Sequence, residues 1–154
     1  MIIGVMNSTV PIQLRSLFKV MIVDDSDAIR ERLLNMLRAI PGIGLLAQAH
    51  SCIQALQLMA EVSPDVAILD IHMPGKSGIA LLEEIKRQPP YPTVIVLTNY
   101  PYIEYRFRCI NAGADYFFEK SAEFEQVVEV VGDLAANHST ACVEERQNER
   151  ANPP

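Results

Sequence analysis

Five short apolar runs, each followed by a stretch with apolar residues at helical spacing, constrain this chain more than any other feature. Residues 18–23, 44–49, 66–69, 93–97 and 116–118 are short and apolar enough for strands. The intervening stretches carry stripes such as Ile29, Leu33, Met36, Leu37 and Ile40, or Phe124, Val127, Val128, Val131 and Leu134. Start signals precede them: Ser26 or Asp27, Ser51, Ser77-Gly78, and Pro101 for a helix through Ala112. Stop signals close them at Pro41-Gly42, Ser63-Pro64, Gln88-Pro89-Pro90 and Gly113. Strands alternating with helices require right-handed crossovers, which predicts an α/β fold with a doubly wound, five-stranded parallel sheet and helices on both faces.

In such a sheet all strands point their carboxyl ends the same way, and ligands bind along that rim. The third run, Val66 to Leu69, ends on Asp70 and then meets Pro74, Gly75 and Gly78, which break the backbone into a loop. Asp24 and Asp25 follow the first run, Thr98 follows the fourth and Lys120 the fifth. An Asp at a strand end can simply open a turn or cap a helix, but capping needs one carboxylate, not the Asp24, Asp25 and Asp27 found here.

Carboxylates gathered on one rim repel and cannot all stay ionised without a cation, which implies a divalent metal. Oxygen ligands on a rigid sheet edge with room for water suit Mg²⁺. A Lys adds positive charge and a Thr a hydroxyl donor, together the set a phosphoryl group requires, and one carboxylate is then available as its acceptor.

Asp24-Asp25, Asp70 with Met73-Pro74-Gly75 behind it, Thr98, Ala112-Gly113-Ala114-Asp115 and Lys120, in this order, resemble the receiver domain of two-component response regulators over residues 18–134. The resemblance implies the flavodoxin-like strand order 2-1-3-4-5. It implies Asp70 as phosphoacceptor, supplied by a sensor histidine kinase or a histidine phosphotransfer protein. It further implies a Mg²⁺ site of Asp24, Asp25, Asp70 and the backbone carbonyl of His72, with Lys120 pairing with the phosphoryl oxygens. Thr98 would swing toward the phosphoryl group and Phe117 would turn inward behind it. Two positions depart from the family pattern. Asn99 stands where a smaller residue is usual and narrows the approach to Asp70. Ser121 stands where Pro is common, and a non-proline cis bond costs about 2.5–4 kcal/mol. The imidazole of His72 has no second His or Cys near it in sequence and is not expected to bind metal, and His50 and His138 read as surface residues.

The chain has 154 residues, which divide into an N-terminal extension (1–16), the receiver domain (17–135) and a polar tail (136–154) expected to be disordered. With 13 basic against 19 acidic residues and no basic cluster, direct nucleic-acid binding is not expected. Three scattered cysteines argue against a disulfide framework or a zinc site and fit a reducing cytoplasm, in keeping with a bacterial protein of this family. The apolar start, Met1 to Met6, is too short to span a membrane and lacks a preceding basic residue, so no membrane insertion is expected. The polar tail is too short for a helix-turn-helix unit, so no output domain is expected within this sequence and the expected output is a downstream protein partner or onward phosphotransfer. The expected role is regulatory rather than enzymatic. A Mg²⁺-dependent aspartyl-phosphate phosphatase or phosphotransferase is the alternative, but it would want a cap insertion. A flavin module of the same topology would want a Ser/Thr/Gly-rich phosphate loop where Asp24-Asp25 stand.

One segment carries more apolar surface than a sheet can cover. In 102–112, Tyr102, Tyr105, Cys109 and Ala112 form one stripe and Ile103, Phe107 and Ile110 another. The small Cys109 and Ala112 suit close packing, so Ile103, Phe107 and Ile110 are expected outside, on a face for a partner or a second copy of the chain.

Overall fold

Alternation along β1 (Phe18–Val23) sorts its side chains onto two faces, and the two halves of the core follow from it. In the computed structural model, which describes residues 17–87 and 89–151, β1 is the middle of a three-strand group with β2 (Ile43–Ala49) and β3 (Val66–Leu69) on either side. Then come β4 (Thr93–Thr98) and β5 (Tyr116–Glu119), giving five parallel strands in the order β2-β1-β3-β4-β5. The connecting helices are α1 (Asp27–Leu37), α2 (Cys52–Val62), α3 (Gly78–Ile85) and α4 (Ile103–Asn111), and α5 (Phe124–Ala151) follows β5.

Val20 and Ile22 of β1 join Val66, Ile68, Ile95 and Leu97 on one face, under α1 (Leu33, Leu37) and α5 (Phe124, Val127, Val131, Ala135). Met21 and Val23 join Ala67, Leu69, Val94 and Val96 on the other, under α2 (Ala55), α3 (Ile79, Leu82) and α4 (Cys109). Burying a Leu, Ile or Phe side chain in this way contributes about 1.5–3 kcal/mol, so both faces are needed to offset chain entropy.

The caps expected from sequence are in place. Ser26 accepts from the Ile29 N–H, Ser51 from Gln54 and Ser77 from Ile79. Gly113 ends α4 at φ +106°, and the Ala114 N–H closes the turn onto the Cys109 carbonyl at 2.9 Å. The carboxylate of Asp115, next in that motif, accepts from the Val94 N–H at 2.8 Å and from Lys86 at 2.9 Å, tying the start of β4 to the end of α3.

Three details differ from the sequence reading. Residues 136–151, expected as a disordered tail, continue α5 instead. No Gly or Pro interrupts the chain between Gly132 and Pro153, and Ser139 and Thr140 bond back to the carbonyls of Ala135 and Ala136, four residues earlier. His138 is half-buried against Phe18, with ring centroids 5.4 Å apart, rather than a plain surface residue. Tyr102, grouped by spacing with the core stripe, is exposed because it occupies the cap position ahead of the first turn of α4. The expected extension 1–16 and residues 152–154 lie outside the described residues. Among the described residues the cis peptide bond is Pro89–Pro90, so Lys120–Ser121 is trans.

The start of α3 presses directly on the end of β3. A Cβ on Gly78 would lie 2.4 Å from the Asp70 carbonyl oxygen and 2.4 Å from the Ile71 Cα. Helix propensity alone favours Ala over Gly by about 1 kcal/mol. The clash is with backbone, which cannot rotate away, and overpacking of this kind costs about 1–3 kcal/mol. Gly78→Ala is therefore expected to lower stability in urea denaturation; a stabilised variant would show that the close approach is not enforced.

Candidate functional site at the carboxyl edge of the sheet

The chain leaves β1 for β2 on one side and returns to β3 on the other, so a crevice opens where β1 and β3 end. Backbone bonds extend the ladders one residue past each strand. Asp24 N–H reaches the Ala49 carbonyl at 3.1 Å, Asp70 N–H the Val23 carbonyl at 2.9 Å, and Lys120 N–H the Thr98 carbonyl at 2.9 Å. These bonds bring together side chains far apart in sequence.

Lys120 sits at the centre. Its Nζ is 2.6 Å from Asp24 Oδ2 and 3.0 Å from Asp70 Oδ2, and all three side chains are buried. The second oxygen of each carboxylate is also occupied: Asp24 Oδ1 accepts from the Ser26 N–H at 2.9 Å and Asp70 Oδ1 from the His72 N–H at 3.0 Å. Asp25 is exposed, yet a carboxylate oxygen of each of Asp24, Asp25 and Asp70 falls within 4.8 Å of the others. Such a set of hard oxygen donors fits a small divalent cation.

Thr98, fully buried, accepts through Oγ1 from the Tyr100 N–H at 3.1 Å. Phe117 is buried on the α4 side of the sheet, with the Arg106 guanidinium 5.4 Å from its ring centroid. Asn99 is exposed at the rim. The His72 ring packs edge-on against Tyr100 and Tyr105, with centroids 4.2 and 4.9 Å away, and its Nε2 is buried without a partner among the described residues. On α4, Ile103, Phe107 and Ile110 are 62, 63 and 46% exposed while Cys109 is buried, the division expected from residue size.

Sequence reasoning missed Arg30. It lies on the buried side of α1 with Leu33, Leu34 and Leu37, and a basic residue in that apolar stripe was the available signal. Its Nη1 donates to the Asp24 carbonyl at 2.5 Å, its Nε to Gln48 Oε1 at 3.2 Å, and its Nη2 to the Asp27 carboxylate.

Burial pushes the Asp24 carboxyl above its usual pKa of 3.8, and the bonds from Lys120 and the Ser26 N–H only partly counter this. Burial works against the Lys120 charge too, but hydrogen bonding to Asp24 and the charges of Asp70 and Asp24 outweigh it and raise its pKa above 10.5. A raised lysine pKa means that the folded chain holds this proton more tightly than the unfolded one. The resulting stability is complete below pH 10.5 and is lost as pH rises through the folded value. Urea midpoints of the parent should therefore fall more steeply above pH 10.5 than those of Lys120→Met. In EDTA at pH 7 that variant should lose about 3–5 kcal/mol, because two buried carboxylates are left unpaired. Equal pH slopes would remove Lys120 from this role.

Comparison with known proteins agrees with this geometry. The profile of the response regulator receiver domain matches residues 20–132. The response regulator GacA of Pseudomonas aeruginosa is 32% identical over 120 residues, 78% of this chain and 56% of GacA. The DNA-binding transcriptional activator DevR/DosR of Mycobacterium tuberculosis is 31% identical over 121 residues, 79% of this chain and 56% of that protein. The chain thus spans about half the length of these curated relatives. Among solved structures, the signal receiver domain of a DNA-binding response regulator from Colwellia psychrerythraea superposes with a TM-score of 0.72 at 25% identity, covering 77% of this chain and 98% of that one. A CheY-like response regulator receiver domain protein from Methanospirillum hungatei does so with 0.71 at 25% identity, over 81% and 98%. With the match reaching from within β1 through β5 and including the rim that carries Asp24, Asp70, Thr98 and Lys120, the chain belongs to the response regulator receiver domain family of two-component systems.

Proposed function

We propose that Asp70 accepts a phosphoryl group from the phosphohistidine of a sensor kinase or a histidine phosphotransfer protein. The observation that carries this reading is the position of Asp70 at the β1/β3 crevice, with an ammonium 3.0 Å from one carboxylate oxygen and two further carboxylates beside it. An Asp70 oxygen attacks phosphorus, the phosphorus–nitrogen bond of the donor breaks, and its electron pair returns to the imidazole. Lys120, held between Asp24 and Asp70, is in place to pair with the phosphoryl oxygens. Asp24, Asp25, Asp70 and the His72 carbonyl are the residues assigned to Mg²⁺. When bound, Mg²⁺ supplies neutralisation of the charge on the transferring group. The Thr98 hydroxyl, now accepting from Tyr100, is assigned to the phosphoryl oxygens, and Phe117 to the packing change that follows.

The output is assigned to protein contacts through Ile103, Phe107 and Ile110, an apolar surface that suits a downstream partner or a second copy of the chain. The role is regulatory and its setting the bacterial cytoplasm. No helix among the described residues is long and apolar enough to cross a membrane.

Incubation with acetyl phosphate and MgCl₂ should add the mass of one phosphoryl group to the parent. Neither Asp70→Asn nor the parent in EDTA should gain it, and a gain that persists in Asp70→Asn would place the acceptor elsewhere. The double variant Ile103→Asp with Ile110→Asp should fold, since both side chains are exposed rather than in the core, and should lose phosphorylation-dependent association in light scattering or partner capture. Undiminished association would move the output face away from α4.

A further inference from the structure

Arg30 brings a positive charge to within hydrogen-bonding distance of the backbone that carries Asp24 and Asp25. Its side chain is 11% exposed, and a guanidinium at that depth is costly unless its donors are met. Here they reach three separate places: the Asp24 carbonyl at the end of β1, the Asp27 carboxylate in the first turn of α1, and the Gln48 amide oxygen on β2. The carbonyl it holds belongs to the peptide that joins Asp24 to Asp25. Fixing that peptide plane fixes the direction in which the chain leaves one carboxylate for the other. Asp24 then turns inward to Lys120, while Asp25 remains at the surface with its oxygen in reach of the same crevice.

We propose that Arg30 is a positioning residue, which sets the spacing of Asp24 and Asp25 for a divalent cation. The inference rests on the cation-binding reading of those carboxylates. The planar fork is what the position requires, because a lysine ammonium is a single point of charge and cannot span three partners lying in different directions. Hydrophobic packing does not explain an arginine there, as its neighbours on the same stripe, Leu33, Leu34 and Leu37, are all aliphatic.

Simple electrostatics and positioning give opposite signs, and this makes the inference testable. If Arg30 acted only through its charge, removing that charge would strengthen cation binding at the adjacent carboxylates, and Arg30→Lys would leave it unchanged. If Arg30 positions them, Arg30→Met weakens binding despite the lost repulsion, and Arg30→Lys weakens it by a smaller factor. Outer partners of metal ligands typically govern about 10–100-fold in affinity, so about tenfold or more is expected for Arg30→Met.

The measurement is MgCl₂ titration of the full chain, followed by the amide signals of Asp24, Asp25 and Asp70 in ¹H–¹⁵N spectra. Those spectra report folding of each variant independently of binding. If Arg30→Met does not fold, Gln48→Leu and Asp27→Ala each remove one arm of the clamp from an exposed partner, and a weaker Mg²⁺ response in both supports the same conclusion. Unchanged or tighter binding in folded Arg30→Met, or unchanged binding in both single-arm variants, overturns it. A parent chain whose crevice signals ignore MgCl₂ overturns the cation-binding reading and this inference with it; a responsive parent with unaltered variants overturns this inference alone.

Discussion

The ammonium of Lys120, lodged between the carboxylates of Asp24 and Asp70, is the interaction on which the rest of the rim depends. Two buried carboxylates so close would otherwise drive each other's protonation or force the strand ends apart. With Lys120 between them, one charge remains in excess before Asp25 is counted, so the crevice is still short of positive charge. That shortage favours a cation in the crevice, and an anionic group could enter only with one. The same ammonium joins β5 to β1 and β3, so any event that draws it away from Asp24 or Asp70 is felt on three strands.

Strand order makes this possible. Residues 24, 70 and 120 are separated by 46 and 50 positions, and they meet because β1, β3 and β5 are parallel and end at the same level. Backbone bonds from Asp24, Asp70 and Lys120 to neighbouring strands hold those ends in register. The close contact of Gly78 with the Asp70 carbonyl packs the following loop against the same point. The site is therefore rigid on its sheet side, while the exposed Asp25 and Asn99 form its open rim.

The parts legible in the sequence are those governed by local rules. The short apolar run of β1 and the helical stripes in α1 and α5 marked the elements, and the Ser26, Ser51 and Ser77 caps and Gly113 marked helix ends through chemistry confined to a few residues. The carboxylates, Thr98 and Lys120 were legible because each lies within two residues of the end of an apolar run. What escaped were features decided by contacts distant in sequence or by missing interruptions. Arg30 reads as an ordinary charged helix residue until β2 brings Gln48 beside it. The half-burial of His138 requires Phe18, 120 positions earlier. The continuation of α5 past Ala135 was obscured by composition: polar residues suggest solvation, but solvation does not unwind a helix that already has a packed base and no breaker.

That helix has a mechanical consequence. From Ala135, packed in the core, to Ala151 it extends by roughly 24 Å at 1.5 Å per residue. Its base lies on the sheet beside β5, where Phe124 and Val127 follow closely on Lys120. It is a lever with its fulcrum at the sheet: a tilt of about 10° at the base, too small to disturb the core greatly, would carry the far end through about 4 Å. Displacements that would be hard to detect around Lys120 would thus become as large as an atomic diameter at the tip.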